Sequence, residues 1–228
     1  MNLSKETTTL IRNFAAINGS IVLKTGNRLS TISEGKNIMA QATITENFPS
    51  DFGIYDLGEF LNATSIFENP TLTFADKYVT IAEANGKSKI KFYAAGEGAV
   101  KSAPDTIKFP TPDVEFDIDS AQLSTILKTS NALKAPDICI TGDGSTLKVV
   151  VSDKKNATSN AYQVDLGTTD QTFKANLKVE NLKMLPGDYS VAVSSKKISR
   201  FLLAIIGSNT QPDPLPPLIS IDTIVLIS

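Results

Sequence analysis

The chain has 228 residues, 41% hydrophobic and 20% charged, with 22 Lys and Arg against 24 Asp and Glu for a formal net charge of −2. That length is enough for one large or two small domains with a real core, while the slight acidity argues against a basic arm that coats nucleic acid indiscriminately, so any contact with a polyanion has to be local. There is no histidine and one cysteine, Cys139, which excludes Ser-His-Asp and Cys-His nucleophiles, histidine- or cysteine-rich zinc sites and an internal disulfide.

The first predicted element is a helix from Lys5 to about Ile17, with Ser4 placed to cap it and Asn18-Gly19 as a left-handed stop. At about 100° per residue, Leu3, Leu10, Ile11, Phe14 and Ile17 share one side. Lys5 and Arg12 project from the opposite side with Thr8, Thr9 and Ala16, and no acid stands among them. Strand-like runs follow at 20–24, 28–33 and 38–44, divided by Gly26-Asn27 and by Glu34-Gly35-Lys36-Asn37, which read as hairpins of an antiparallel sheet. Phe52 to Tyr55 leads into Asp56, a cap for a second helix that turns Leu57, Phe60, Leu61, Thr64 and Phe67 inward and ends at Asn69-Pro70. Strands resume at 71–74, 78–83 and 88–93. Residues 94 to about 112 are small, rich in glycine and proline and without helical period, as in a linker.

The order then repeats. A strand at 116–118 precedes a helix opened by Asp119, which makes a capping-box start with Gln122, carries Leu123, Ile126, Leu127 and Leu133 inward, and stops at Ala135-Pro136. Lys128 lies opposite that apolar side, among Ser124, Thr125 and Asn131. Strands are predicted at 138–140, 147–151, 161–166 and 173–177, then a short helix near 179–185, and after Pro186-Gly187-Asp188 a strand at 189–193. Each half reads helix, strands, helix, strands. The expected fold is therefore α+β: two similar domains of antiparallel sheet with two helices each, spanning 1–95 and 114–228 with a connector at 96–113. Helices on one face of each sheet leave terminal strands open to another subunit, and heterologous edge-strand pairing that closes by rotation makes a ring.

Other motifs carry less. Cys139, between Ile138 and Ile140, reads as an inert core thiol. Gly96-Glu97-Gly98 and Gly142-Asp143-Gly144 lack the length and the following Lys-Ser/Thr of a P-loop, and the second reads as a hairpin turn. No stretch approaches the roughly 20 apolar residues of a membrane span and the start lacks a signal-peptide pattern, so a soluble intracellular protein is expected. A basic stripe opposite the apolar face of each opening helix suggests an anionic partner, although solvated helix faces also carry lysines.

Four segments, LSKETTTLIRNFAAIN, IYDLGEFL, AQLSTILKTSNAL and NLKMLPGDYSVAV, resemble in order and spacing the DNA polymerase sliding clamps of tailed, myovirus-type phages, from residue 1 to about Arg200. The resemblance implies the DNA clamp fold: a homotrimeric ring of six similar domains that encircles double-stranded DNA without sequence preference. It also implies a replicative DNA polymerase, an ATP-dependent clamp loader and late transcription factors as partners, in the cytoplasm of the infected bacterial host. Catalytic residues, cofactors, metal and membrane have no part in it. Lys5, Arg12 and Lys128 match inward-facing basic positions of the family, and Lys134, Lys196 and Lys197 are further DNA-facing candidates. Asn131 departs from it, since a second basic residue is expected one turn after Lys128. By the same analogy Lys89, Ile90, Lys91, Phe92 and Tyr93 of one subunit meet Tyr162, Val164 and Leu166 of the next. Ile107, Phe109 and Pro110 either form a pocket for a partner's tail peptide or anchor the connector on the core.

From Phe201 onward there is no Lys or Arg and there are four prolines. So abrupt a change of composition is what a shifted reading frame or a variant ending would produce; the second half then either completes its sheet with 218–227 or lacks those strands. The competing readings are a virion-assembly protein of duplicated β-rich domains and, on carboxylates alone, a hydrolase of sugars or phosphodiesters.

Overall fold

Ser4 opens the first helix: its hydroxyl accepts the Thr7 backbone N–H at 3.1 Å, and α1 runs over Lys5–Ile17 with Thr7, Leu10, Ile11, Phe14 and Ile17 buried. Its end differs from the glycine-type stop expected. Asn18 is extended, at φ −146°, and its side chain makes the turn instead, donating to Ile32 O at 2.8 Å and accepting from Ser20 N at 3.0 Å. An asparagine that binds the backbone two residues on removes the need for a left-handed residue. The computed structural model describes residues 1–105, 109–205 and 219–227, which fall into two units, one built on 1–105 and the other on 109–205 and 221–227.

In the first unit β1 (Ile21–Leu23) pairs antiparallel with β4 (Phe52–Ile54). The signal at Gly26-Asn27 had suggested pairing with the following strand. Pairing with β4 sets Ile21 opposite Ile54 and Leu23 opposite Phe52, all four buried, which is the stronger apolar match. Gly26, at φ 103°, instead begins β2 (Gly26–Ile32), which forms the hairpin with β3 (Ile38–Phe48). Asp56 caps α2 (Leu57–Ser65), its carboxylate accepting Glu59 N at 2.9 Å. Leu57, Phe60, Leu61 and Thr64 are buried as expected, but the helix ends at Ser65, short of Asn69-Pro70, and Phe67 lies beyond it and half-buried. The predicted meander follows as β5 (Thr71–Phe74), β6 (Tyr78–Ala82) and β7 (Lys89–Tyr93). Helix α1 packs on α2 and on β3, so the face opposite its core stripe is left outward.

The second unit opens with β8 (Val114–Ile118) and α3 (Ser120–Leu133). Both bonds of the expected capping box form: Gln122 N donates to Asp119 Oδ1 at 2.7 Å and Asp119 N to Gln122 Oε1 at 3.1 Å. The helix closes on Lys134 in the left-handed region, φ 52°. β9 (Asp137–Asp143) and β10 (Thr146–Ser152) form the hairpin read from Gly142-Asp143-Gly144, with Gly144 at φ 83°. With β11 (Tyr162–Thr168) and β12 (Thr172–Lys178) they make a sheet in the order β11-β10-β9-β12.

The helix expected near 179–185 does not form. Val179–Asn181 makes a single 3-10 turn, and Leu182 leaves helical geometry at φ −85°, ψ 64°. A segment this short, bounded by Pro186, cannot repay nucleation when Val179 N already bonds Pro136 O at 3.0 Å and Asn181 and Leu182 are drawn into the core. Among its described residues the second unit thus carries one α-helix and one 3-10 turn, not two helices. β13 (Tyr189–Ser194) pairs with β8 and with β14 (Ile198–Ile205), which runs across the change of composition at Phe201. β15 (Ile219–Leu226) lies beside β14, with Ser199 Oγ donating to Val225 O at 3.0 Å and Arg200 Nε to Asp222 Oδ1 at 3.1 Å. Of the two outcomes open for the ending, the structure takes the completed sheet, with Ile221, Thr223, Ile224 and Val225 buried.

One close approach is testable. A methyl at Gly142 would stand 2.5 Å from Gln171 O and 2.7 Å from Phe173 Cε1, and backbone cannot move aside as a side-chain tip can. Gly142→Ala is expected to lower stability by about 1–3 kcal/mol, read from the urea midpoint by circular dichroism; an unchanged midpoint would show that β12 can shift.

Candidate nucleic-acid interface

On α1, Lys5 and Arg12 are both exposed. They line one shallow groove of about 470 Å³ together with Thr8 and Thr9, its far wall coming from Ser65 and Asn69, and no carboxylate lines it. Thr8 and Thr9 turn their hydroxyls back to Ser4 O (2.9 Å) and Lys5 O (2.8 Å), so the helix presents methyls and cations. None of the ion pairs among the described residues involves Lys5, Arg12 or Lys128. Their charge is left for an anion outside the chain.

What orients this stripe is a residue that sequence reasoning missed. Glu46, on β3, reaches the N-terminus of α1, where Oε1 accepts Ser4 N and Oε2 accepts Thr7 Oγ1, each at 2.6 Å. The contact bridges 42 residues, and no local pattern announces it. Partial burial pushes the Glu46 carboxyl up, but the hydrogen bonds from Ser4 and Thr7 outweigh it and hold the group below its ordinary 4.5. An anion here also complements the positive pole of the helix.

In the second unit Lys128 is exposed on α3, and Lys134 is exposed at its left-handed C-cap. Lys154 and Lys155, not singled out from the sequence, sit on a turn tied to the same end of α3. There the buried Asp137 accepts Lys154 N at 3.1 Å, with Lys154 Nζ 3.9 Å from its other oxygen. Lys196 and Lys197 are exposed but belong to the β13–β14 turn and not to α3, with Lys197 in the left-handed region at φ 61°. Asp113 holds that turn by accepting Ser195 N. Lys197 lines a second groove, of about 520 Å³, with Asp113, Phe173, Val193 and Ile227. Phe109 and Pro110 are half-buried and line neither groove; Ile107 lies outside the described residues. Cys139 is buried, and burial pushes its thiol up, as suits an inert core residue.

The strands expected at a subunit contact are both sheet edges. β7 ends the order β5-β6-β7 and β11 ends β11-β10-β9-β12. Ile90 and Phe92 face inward and are half-buried, whereas Lys89, Lys91 and Tyr93 are exposed; on β11, Tyr162, Val164 and Leu166 are half-buried. The structure therefore leaves all eight residues on the two open rims.

The family described as "DNA polymerase processivity factor" matches residues 4–100, and that described as "gp45 sliding clamp, C terminal" matches residues 115–206, ending close to the change of composition. The "Sliding clamp" of Vibrio phage KVP40 is 33% identical over 209 residues, covering 89% of this chain and 94% of the relative. That of Enterobacteria phage T4 is 30% identical over 203 residues, covering 86% and 88%. Among solved structures, Proliferating Cellular Nuclear Antigen from Entamoeba histolytica has a TM-score of 0.68 at 11% identity, covering 97% of this chain and 94% of that one. A. fulgidus PCNA, solved with the C-terminal region of FEN-1 bound, has 0.70 at 10% identity with the same coverage. At such identities the structures speak for the fold alone, and that fold is the α+β clamp fold.

The Glu46 tether predicts a pH dependence. A carboxyl depressed in the folded state adds stability that is present above its unfolded value and lost as pH falls through the folded one. Glu46→Gln is expected to be less stable than the parent chain at neutral pH, and the gap to shrink between about pH 5 and about pH 3 in urea titrations. A gap that stays constant over that range would show that the charge of Glu46 is not what holds α1.

Proposed function

The chain belongs to the phage sliding-clamp family of DNA polymerase processivity factors, and from that premise we propose that it works as a homotrimeric ring closed around duplex DNA, holding the replicative polymerase on its template without catalysis of its own. The observation that carries the mechanism is the acid-free cationic face of α1. Retention by enclosure needs no tight site. It needs an inner wall that attracts phosphate weakly and without regard to sequence, and single ammonium and guanidinium groups on a helix do that. Lys5, Arg12 and Lys128 form this wall, with Lys134, Lys196 and Lys197 as further contacts. Domains at 1–95 and 114–228, joined by a connector at 96–113, give six similar segments around a trimer. Subunits join by adding β7 of one to β11 of the next.

Partners follow from the same reading. An ATP-dependent loader opens the ring, and the polymerase and late transcription factors bind its outer side, in the cytoplasm of the infected host. The connector residues Ile107, Phe109 and Pro110 receive a partner's tail peptide. No observation favours a virion role.

Two measurements test this. Loaded with its ATPase, the chain is expected to persist on circular DNA and to run off linear DNA with free ends; equal retention on both would refute enclosure. Each phosphate contact adds about 0.9 to the dependence of log affinity on log salt. Lys5→Glu with Arg12→Glu is therefore expected to flatten that slope by about 2 for each subunit engaged, with the fold intact. An unaltered slope would show that this face does not meet DNA.

A further inference from the structure

β7 ends one outlying sheet and β11 ends the other, and these two edges carry opposite charge. In β5-β6-β7 the outer edge of β5 is taken by the start of the chain: Met1 N donates to Leu72 O at 2.8 Å and Leu72 N to Met1 O at 2.7 Å. β7 has no such cover among the described residues. Its outward row holds Lys89, Lys91 and Tyr93 and no acid. Lys91 Nζ stands 4.6 Å from the centre of the Tyr78 ring, which keeps the ammonium over the sheet.

In the other sheet β11 and β12 are the two rims, and they differ. The outward row of β12 carries Lys174 and Lys178; on its inward row Ala175 and Leu177 are only 2% and 0% exposed, and the half-buried Phe173 turns into the groove with Lys197. On β11 the inward Tyr162, Val164 and Leu166 remain half-exposed, and the outward row presents Gln163 and Asp165. Lys148 lies across from Asp165 on β10, but its ammonium goes to Asp143 at 3.4 Å, and no ion pair among the described residues takes up Asp165.

We infer that Asp165 of one copy is the charge key that selects β7 of the next, facing Lys89 and Lys91. Side chains alternate along a strand, so any register that sets Ile90 and Phe92 on the face of Tyr162, Val164 and Leu166 puts Asp165 on the face of the lysines. When Asp165 stands opposite either lysine, the other is its diagonal neighbour, still within reach of a long side chain. The same charges oppose the wrong pairings. Two β7 edges would bring four lysines together, and β7 against β12 would set lysine against lysine. The contact is heterologous, as a closed ring requires. This inference rests on the ring reading and adds what makes its choice of partner edge specific and its closure dependent on salt.

The test is a charge exchange on the intact chain, read by sedimentation at several concentrations and two salt levels, with thermal unfolding confirming that these exposed positions leave the fold alone. Asp165→Lys, and separately Lys89→Asp with Lys91→Asp, are each expected to weaken association by about tenfold per contact, and so by about a thousandfold for three contacts. All three changes together are expected to recover most of the loss, and added salt is expected to weaken the parent chain. Separate variants that assemble like the parent, or a combination no better than its parts, would overturn the key while leaving the ring. A parent chain that stays monomeric at every concentration would overturn the ring itself.

Discussion

A chain of net charge −2 that is to hold a polyanion must keep its acids away from the surface that meets it. Here the separation comes about through the backbone. Carboxylates are spent on main-chain N–H groups: Asp56 and Asp119 at helix starts, Glu46 and Asp188 across the fold, and Asp51, Asp113, Asp143 and Asp153 in turns. Each such bond fixes an acid at a strand end or helix terminus, where it stabilises local structure, and removes it from the outward face of α1. The excess of acid over base in the composition and the cationic helix face are therefore compatible, because charge is sorted by backbone need before any partner is present.

The same device sets the pose of the two opening helices. α1 takes its distant anion from Glu46, 42 residues away, and α3 takes one from Asp188, 68 residues away, whose carboxylate accepts Ser120 N at 2.7 Å. In each unit a residue carried on or beside the sheet grips the N-terminus of the helix that displays the cations. A local cap such as Ser4 or Asp119 determines where a helix starts; the long-range carboxylate helps determine how it lies on the strands. On the proposed reading a wall of single charges works through direction, and this second constraint then matters more to DNA contact than the first.

That division explains what could be read from the sequence. The starts of α1, α2 and α3 and the β5–β6–β7 meander were legible because caps, turns and alternation act over a few residues. The basic stripe was legible because helical period alone places Lys5 and Arg12 together. The partnership of β1 with β4 was not, since a three-residue strand carries no register of its own and joins whichever apolar neighbour the fold supplies. The segment after Lys178 has helical-looking content, yet its backbone and Leu182 are claimed by the sheet and the core. Lys196 and Lys197 show the limit most plainly. They were expected on a loop and stand on one, but it is the distant Asp113, accepting Ser195 N, that holds the hairpin turn, and no local pattern announces that bond.

The rims of the sheets bear on how firmly such an assembly could close. Only Ile90 and Phe92 on one side, and Tyr162, Val164 and Leu166 on the other, offer apolar area to bury, and all five are already half-covered within their own units. Backbone bonds between the added strands would replace bonds to water with modest net gain, and exposed ion pairs contribute little individually. A contact made of such parts is weak singly and depends on being repeated around a closed figure, where opening one joint still leaves the others made. For the ring proposed above, which would have to be parted before it could enclose a molecule without free ends, a joint of that strength is a working requirement: firm enough to reclose unaided, weak enough for the proposed loader to part.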